Sequence, residues 1–455
     1  MNNITDYINQ NKERILNELF GLIRIPTVSG SADHVDEMQK AALYLKENLL
    51  NSGADKVEIF QTKGAPIVFG EKKVNENFPT IMIYGHYDVM PAGEGWDSPP
   101  FEPEIRNEKI YARGADDDKG QVFIQLKAFE YMVKNNLLRC NVKFMLEGEE
   151  ETGSESIAVF CKQYKDMLQS DIILVSDTGM IAQDTPSITV GLRGIAYMQV
   201  EVQGPNRDLH SGLFGGAVAN PANILTKMIA SLFDENNRIT IPGFYDDVLE
   251  LSAEERLEMA KAPYDEDKYC TSLGLKTTFG EKGFSTQERT GIRPSLDING
   301  IWSGFIEEGT KTVLPAKAAA KISMRLVPHQ QPEKIAKLFE AYLLSIAPDS
   351  VSVKVKYLHG GEPYVAPTNI IAYHAASRAY EKTFNKMPVP TRSGGSIPII
   401  SLFEQVLGTK SMLMGFGLES DAIHAPNENF PLFNLFKGIE TIACFYQYYA
   451  EEMNK

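Results

Sequence analysis

Positive charge is the first shortage. The 455 residues carry 45 Lys and Arg against 60 Asp and Glu, a formal net charge of −15. That argues against nucleic acid as a partner, because such binding rests on Lys and Arg neutralising phosphates. Cysteine is scarce too. Cys140, Cys161, Cys270 and Cys444 are scattered, with no Cys-x-x-Cys, which reads as free thiols in a reducing compartment and not as a disulfide framework. No run of eighteen apolar residues occurs, so no membrane span is expected. The first residues lack the charged start and apolar block of a signal peptide. Short-period repeats and low-complexity tracts are missing as well. A cytoplasmic protein of ordinary globular composition, 43% hydrophobic and 23% charged, is the expectation. At roughly 150 residues per domain the length suggests two or three domains.

What is present is alternation. Helical spacing runs through residues 7–22 and 36–50, and a further amphipathic set spans 120–135. Between them lie continuous apolar runs at 80–84, 142–146 and 172–175. Apolar strands alternating with helices predict an α/β fold with a mostly parallel sheet, covered on both faces. From about residue 194 the strands alternate more clearly, as at 196–202 and 317–327, around a charge-dense stretch at 234–289. This reads as an inserted α+β domain at 194–364, splitting a first domain into 1–193 and 365–455.

The strand ends carry the chemistry. Gly85-His86-Tyr87-Asp88 follows the first apolar run, and Glu147-Gly148-Glu149-Glu150-Glu151-Thr152-Gly153 the second. Ser176-Asp177 follows the third, and a late run at 412–416 precedes Asp421-Ala422-Ile423-His424. In open α/β sheets ligands bind beyond the carboxyl ends of the strands. Each element alone has an ordinary explanation: Asp116-Asp117-Asp118 could be a solvated turn, and the three glutamates could cap a helix. Together they offer the imidazole and carboxylate donors of a dinuclear divalent-metal site. Two neutral imidazoles and three carboxylates leave one positive charge on two divalent ions, which a bridging hydroxide neutralises. That balance suits a partly buried site.

These residues resemble the M20 metallopeptidases in order and spacing. The resemblance is carried by Gly85-His86-Tyr87-Asp88-Val89, Gly114-Ala115-Asp116-Asp117-Asp118-Lys119-Gly120, the Glu147–Ser154 segment and Ser176-Asp177. It continues through Asp208-Leu209-His210-Ser211-Gly212, Met324-Arg325-Leu326-Val327-Pro328, Gly394-Gly395-Ser396-Ile397-Pro398 and His424-Ala425-Pro426-Asn427-Glu428. It implies a zinc-exopeptidase-like catalytic domain with an inserted lid and dimerisation domain. It also implies two divalent ions per subunit, zinc first, with manganese or cobalt as alternatives. His86, Asp117, Glu151, Asp177 and His424 become the ligands, with Asp117 bridging; Asp177 joins the ion of His86, and His424 holds the other. Asp88 orients the His86 imidazole. Glu150 becomes the general base, with Glu149 the alternative if the motif is read one position earlier. His210, from the second subunit of a homodimer, becomes the oxyanion donor. Arg325, Gly395 and Ser396 hold the substrate's terminal carboxylate.

Residues 241–261, 293–300 and 208–216 resemble the non-specific, carnosinase-like dipeptidase branch. The expected reaction is hydrolysis of a dipeptide or short peptide with a free C-terminus. An amidohydrolase removing the acyl group of an N-acyl amino acid or acyl-diamino acid is the alternative. A non-catalytic metal-binding scaffold is a remote one, since its signature would be a lost base or ligand and none is missing. A nucleotide-binding enzyme is weaker still: Gly415-Phe416-Gly417 lacks the third glycine of the dinucleotide fingerprint.

Overall fold

In the computed structural model, which describes residues 3–260, 262–395 and 397–454, the early apolar runs are interior strands. Thr80–His86 lies between Asn141–Glu147 and Ile172–Val175, parallel to both. Nearly every side chain in these strands is buried, which is why their sequence is continuously apolar. Lys56–Phe60 and Ile67–Lys72 extend the sheet antiparallel beyond Asn141–Glu147. On the other side, Ser411–Leu413 runs parallel to Ile172–Val175, and Leu413 meets Thr189 of Ser187–Leu192. The apolar run at 412–416 therefore outlasts its strand. Gly415 then passes so close to Thr178 that a Cβ would lie 1.9 Å from the Thr178 carbonyl oxygen.

Ile4–Ile23 and Val35–Ser52 bury one stripe each, as their spacing predicts. The helix Lys119–Lys134 behaves differently. Its spacing suggests an exposed polar face, yet it is buried along almost its whole length. The polar residues go inside because each finds a partner, without which a buried polar group costs several kcal/mol. Lys119 Nζ donates to the carbonyls of Leu22 and Ile25. Lys127 pairs with Glu18 and Glu130. Gln121 donates to the Thr178 carbonyl and accepts the Phe416 N–H, and Gln125 donates to Ser176 Oγ. The helix thereby pins the loop around Asp177. With Ile371–Phe384 and Leu432–Met453 it shares one continuous core with the sheet.

The chain forms two compact units, one of Met1–Val190, Ala366–Thr391 and Leu402–Lys455, the other of Gly191–Val365 and Arg392–Ser401. Placing 392–401 with the insertion differs from the division expected at 365. The cause is Arg193, whose backbone N–H donates to the Gly395 carbonyl and whose Nε donates to that of Gly394. The second unit is built on an antiparallel sheet in the order Ser295–Ser303, Lys317–Leu326, Gly194–Gln203, Ser352–Gly361. Ala196, Met198, Val200 and Val202 alternate into its core beneath the helices Pro221–Ala230 and Pro332–Ile346. Among the described residues the charge-dense stretch contributes three short helices, Ala253–Met259, Glu266–Ser272 and Thr286–Gly291.

Candidate metal centre

His86 is the last residue of its strand and its side chain is fully buried. Its Nδ1 faces the Asp88 carbonyl at 3.1 Å and Asp88 Oδ1 at 3.3 Å. Two acceptors there place the hydrogen on Nδ1 and leave Nε2 for a ligand. Asp88 does more than orient the imidazole. Its two oxygens accept the backbone N–H groups of Glu150 (3.2 Å) and Glu151 (3.1 Å), so one carboxylate sets both the histidine and the glutamate loop.

The three consecutive aspartates have three different surroundings. Asp118 Oδ2 accepts the His86 N–H at 3.1 Å. Asp116 packs against Gly417, where a Cβ would come within 2.6 Å of its Oδ2. Asp117 lies between the two candidate imidazoles, with Oδ1 at 3.1 Å from His86 Nε2 and Oδ2 at 2.9 Å from His424 Nε2. The glutamates divide similarly. Glu149 accepts the Ser156 N–H at 3.2 Å at the start of the helix Glu155–Gln163. It presses on Gly64 so closely that a Cβ there would sit 1.4 Å from Oε1. Glu151 Oε2 stands 3.1 Å from His424 Nε2. Asp177, two residues past Ile172–Val175, brings Oδ2 to 4.0 Å from His86 Nε2. His424 sits in a loop where Ala422, His424 and Asn427 all have positive φ (56°, 61° and 61°), a conformation that costs most at Ala422, which has no polar side chain to offset it.

The donors therefore form two groups sharing Asp117: His86, Asp117 and Asp177, and Asp117, Glu151 and His424. Two donors each bonded to one ion at about 2.0–2.2 Å stand roughly 3–4 Å apart, the range of the separations here. Imidazole with carboxylate suits a borderline divalent ion. The donor set fits the metals that the sequence motifs imply.

Electrostatics point the same way. Burial pushes Asp177 up to about 7, helped by the nearby Asp117. Hydrogen bonds to Asp117 and then Glu151 hold the His424 imidazolium up to about 10. Burial also raises Glu150 well above the usual carboxylate range, with Asp177, Asp117 and Glu151 adding to the rise. Both Asp177 and His424 are raised, so their contribution to stability is present at low pH. It is lost as pH rises from 3.8 through about 7 for Asp177 and from 6.5 through about 10 for His424. Metal uptake should therefore release protons at pH 7, and affinity should rise between pH 6 and 9. Calorimetric titration in buffers of different ionisation enthalpy measures both, and a pH-independent affinity would contradict the assignment.

The second unit carries His210, Arg325 and Gly395; Ser396 lies outside the described residues. His210 Nδ1 accepts the Gly212 N–H at 3.0 Å, which leaves the ring hydrogen on Nε2. Arg325 faces Ile195 across the sheet, and its guanidinium feels the positive charge of Arg193 and the negative charge of Asp297. Gly395 takes its place through Arg193 and through its N–H to Ser393 Oγ, at 3.1 Å. Sequence reasoning passed over Arg113 and gave Glu428 no task, although they form a buried ion pair. The available signal was spacing, each being four residues from a candidate ligand.

A model of peptidase family M20/M25/M40 matches residues 82–448. The Cys-Gly metallodipeptidase DUG1 of Candida albicans is 31% identical over 472 aligned positions, covering 98% of this chain and 96% of that protein. The Beta-Ala-His dipeptidase of Homo sapiens is 34% identical over 393 positions, covering 84% and 77%. Among solved structures, the di-peptidase Dug1p from Saccharomyces cerevisiae superposes with a TM-score of 0.88 at 29% identity over 98% of each chain. Among the described residues no helix is long and apolar enough to cross a membrane. With the family match spanning most of the chain and candidate metal donors gathered at the strand ends, the chain belongs to peptidase family M20/M25/M40 and is a metallopeptidase.

Proposed function

We propose that this metallopeptidase hydrolyses dipeptides or short peptides with a free C-terminal carboxylate, using two divalent ions and Glu150 as general base. The observation that carries the reading is Asp117 standing between two imidazoles, with a further carboxylate on each side. His86, Asp117 and Asp177 would hold one ion and Asp117, Glu151 and His424 the other. Zinc, manganese and cobalt are all compatible with these donors. When bound, the ions supply Lewis acidity, lowering the pKa of a water and polarising the amide carbonyl.

The remaining steps belong to side chains. Glu150 takes the proton of the attacking water and returns it to the leaving amine; its burial favours the protonated form needed for that return. His210, with its hydrogen on Nε2, donates to the developing oxyanion and would come from the partner subunit of a homodimer formed through the insertion. Arg325 grips the substrate's carboxylate in a two-pronged ion pair, with Gly395 and Ser396 adding contacts. The free thiols Cys140, Cys161, Cys270 and Cys444 fit a cytoplasmic, reducing setting.

Initial rates on a dipeptide and on its N-acetylated form test the reading. The dipeptide should be turned over faster by more than about 10-fold, because a site built around a polar group rejects an analogue that cannot present it. A rate confined to the acylated compound would replace this reading with the amidohydrolase.

A further inference from the structure

We propose that Glu428, neutralised by Arg113, is a positioning residue for Asp117, fixing its peptide to the loop that carries His424 and so shaping the ion site of Asp117, Glu151 and His424. The proposal rests on the dinuclear reading above. Arg113 precedes Asp117 by four residues, and Glu428 follows His424 by four. Arg113 Nη1 meets Glu428 Oε2 at 2.7 Å, with side-chain exposures of 1% and 0%. The other oxygen, Oε1, accepts the N–H groups of Asp116 at 3.1 Å and Asp117 at 3.2 Å. The Glu428 carbonyl accepts the Ala112 N–H at 3.1 Å, and Asn429–Pro431 continues antiparallel to Lys109–Tyr111.

A buried ion pair is weak evidence for stability, since apolar residues of similar volume hold two segments together as well or better. What an apolar pair cannot do is accept two consecutive N–H groups at the residue whose carboxylate faces both imidazoles. Arg113 supplies the second half of the device. It cancels a negative charge that would otherwise stand beside Asp117, and its Nη2 is anchored on the Pro91 carbonyl at 3.3 Å. Outer partners of this kind typically change metal affinity by about 10- to 100-fold.

Glu428→Gln tests the idea because an amide cannot serve both sides. With its oxygen toward the Asp116 and Asp117 N–H groups, its NH₂ faces Arg113; turned over, NH₂ faces the N–H groups. Metal-stripped full-length protein is titrated with Zn²⁺ by calorimetry, and the thermal unfolding of the ion-free form is recorded alongside. The native protein should take up two ions. In Glu428→Gln both events should weaken, because Asp117 serves both ions, by about 10- to 100-fold at the site shared with His424, and the ion-free midpoint should fall, because the buried Arg113 loses its counter-charge. Glu428→Asp, which keeps the counter-charge of Arg113 but withdraws it by one methylene from the Asp116 and Asp117 N–H groups, should weaken metal binding with a smaller fall in that midpoint, and serves if the glutamine variant does not fold. Native affinity for both ions, or a weakening in Glu428→Asp no larger than its fall in ion-free stability accounts for, would overturn the proposal alone. A native protein holding a single ion would overturn the dinuclear reading and this proposal with it.

Discussion

Glu150→Gln is expected to lower the rate of peptide hydrolysis by about 10²- to 10⁴-fold, the usual contribution of a positioned acid–base group, while both ions stay bound. The amide keeps the size of the side chain and cannot shuttle a proton. The backbone at this residue is held independently, because its N–H donates to Asp88 at 3.2 Å, so the loop should keep its place. Glu149→Gln is the contrast. Its carboxylate accepts the Ser156 N–H and packs on Gly64, a structural task that an amide oxygen can share, so the rate should stay near native. Steady-state kinetics with metal analysis of both variants decides the matter. Loss of activity in Glu149→Gln with retention in Glu150→Gln would move the base by one position.

Asp117→Ala should have the larger effect on metal content. Each oxygen of Asp117 faces a different imidazole, at 3.1 Å and 2.9 Å, so its removal weakens both sites together. The loss should exceed the about 10- to 100-fold typical of an outer partner, and hydrolysis should fall to background. Asp118→Asn, at the residue next to Asp117 that precedes the helix Lys119–Lys134, keeps an acceptor for the His86 N–H and should retain both ions. The measurement is metal stoichiometry by elemental analysis after dialysis. An Asp117→Ala protein that still holds two ions would remove the bridging role.

The strands were legible because burial on both faces leaves a continuous apolar signature, and their ends marked where imidazoles and carboxylates would gather. The helix 120–135 was legible as a helix but not as an interior one. Gln121, Gln125 and Lys127 look solvent-facing until the partners that satisfy them, Thr178, Ser176, Glu18 and Glu130, are known. Among three identical aspartates only the family resemblance singled one out; chemistry alone could not, because backbone direction decides which carboxylate meets the imidazoles. The Arg113–Glu428 pair spans 315 residues, and no local pattern reports a contact at that separation. Arg193 escaped for the same reason: its hold on Gly394 and Gly395 draws residues 392–401 to the insertion and is made entirely with backbone carbonyls, which carry no residue-specific signal.

The strand Ser411–Leu413 enters the sheet between Ile172–Val175 and Ser187–Leu192, partners made more than two hundred residues earlier. A chain made only as far as residue 410 therefore has a sheet with an open slot and a candidate donor set lacking its second imidazole. Neither is completed until residues 411–424 have been made. A product ending before residue 411 has an unpaired strand edge, which invites aggregation, and can gather at most the candidate donors around His86. Order along the chain thus couples the two: the candidate donor set is whole only in a chain that has also closed its sheet.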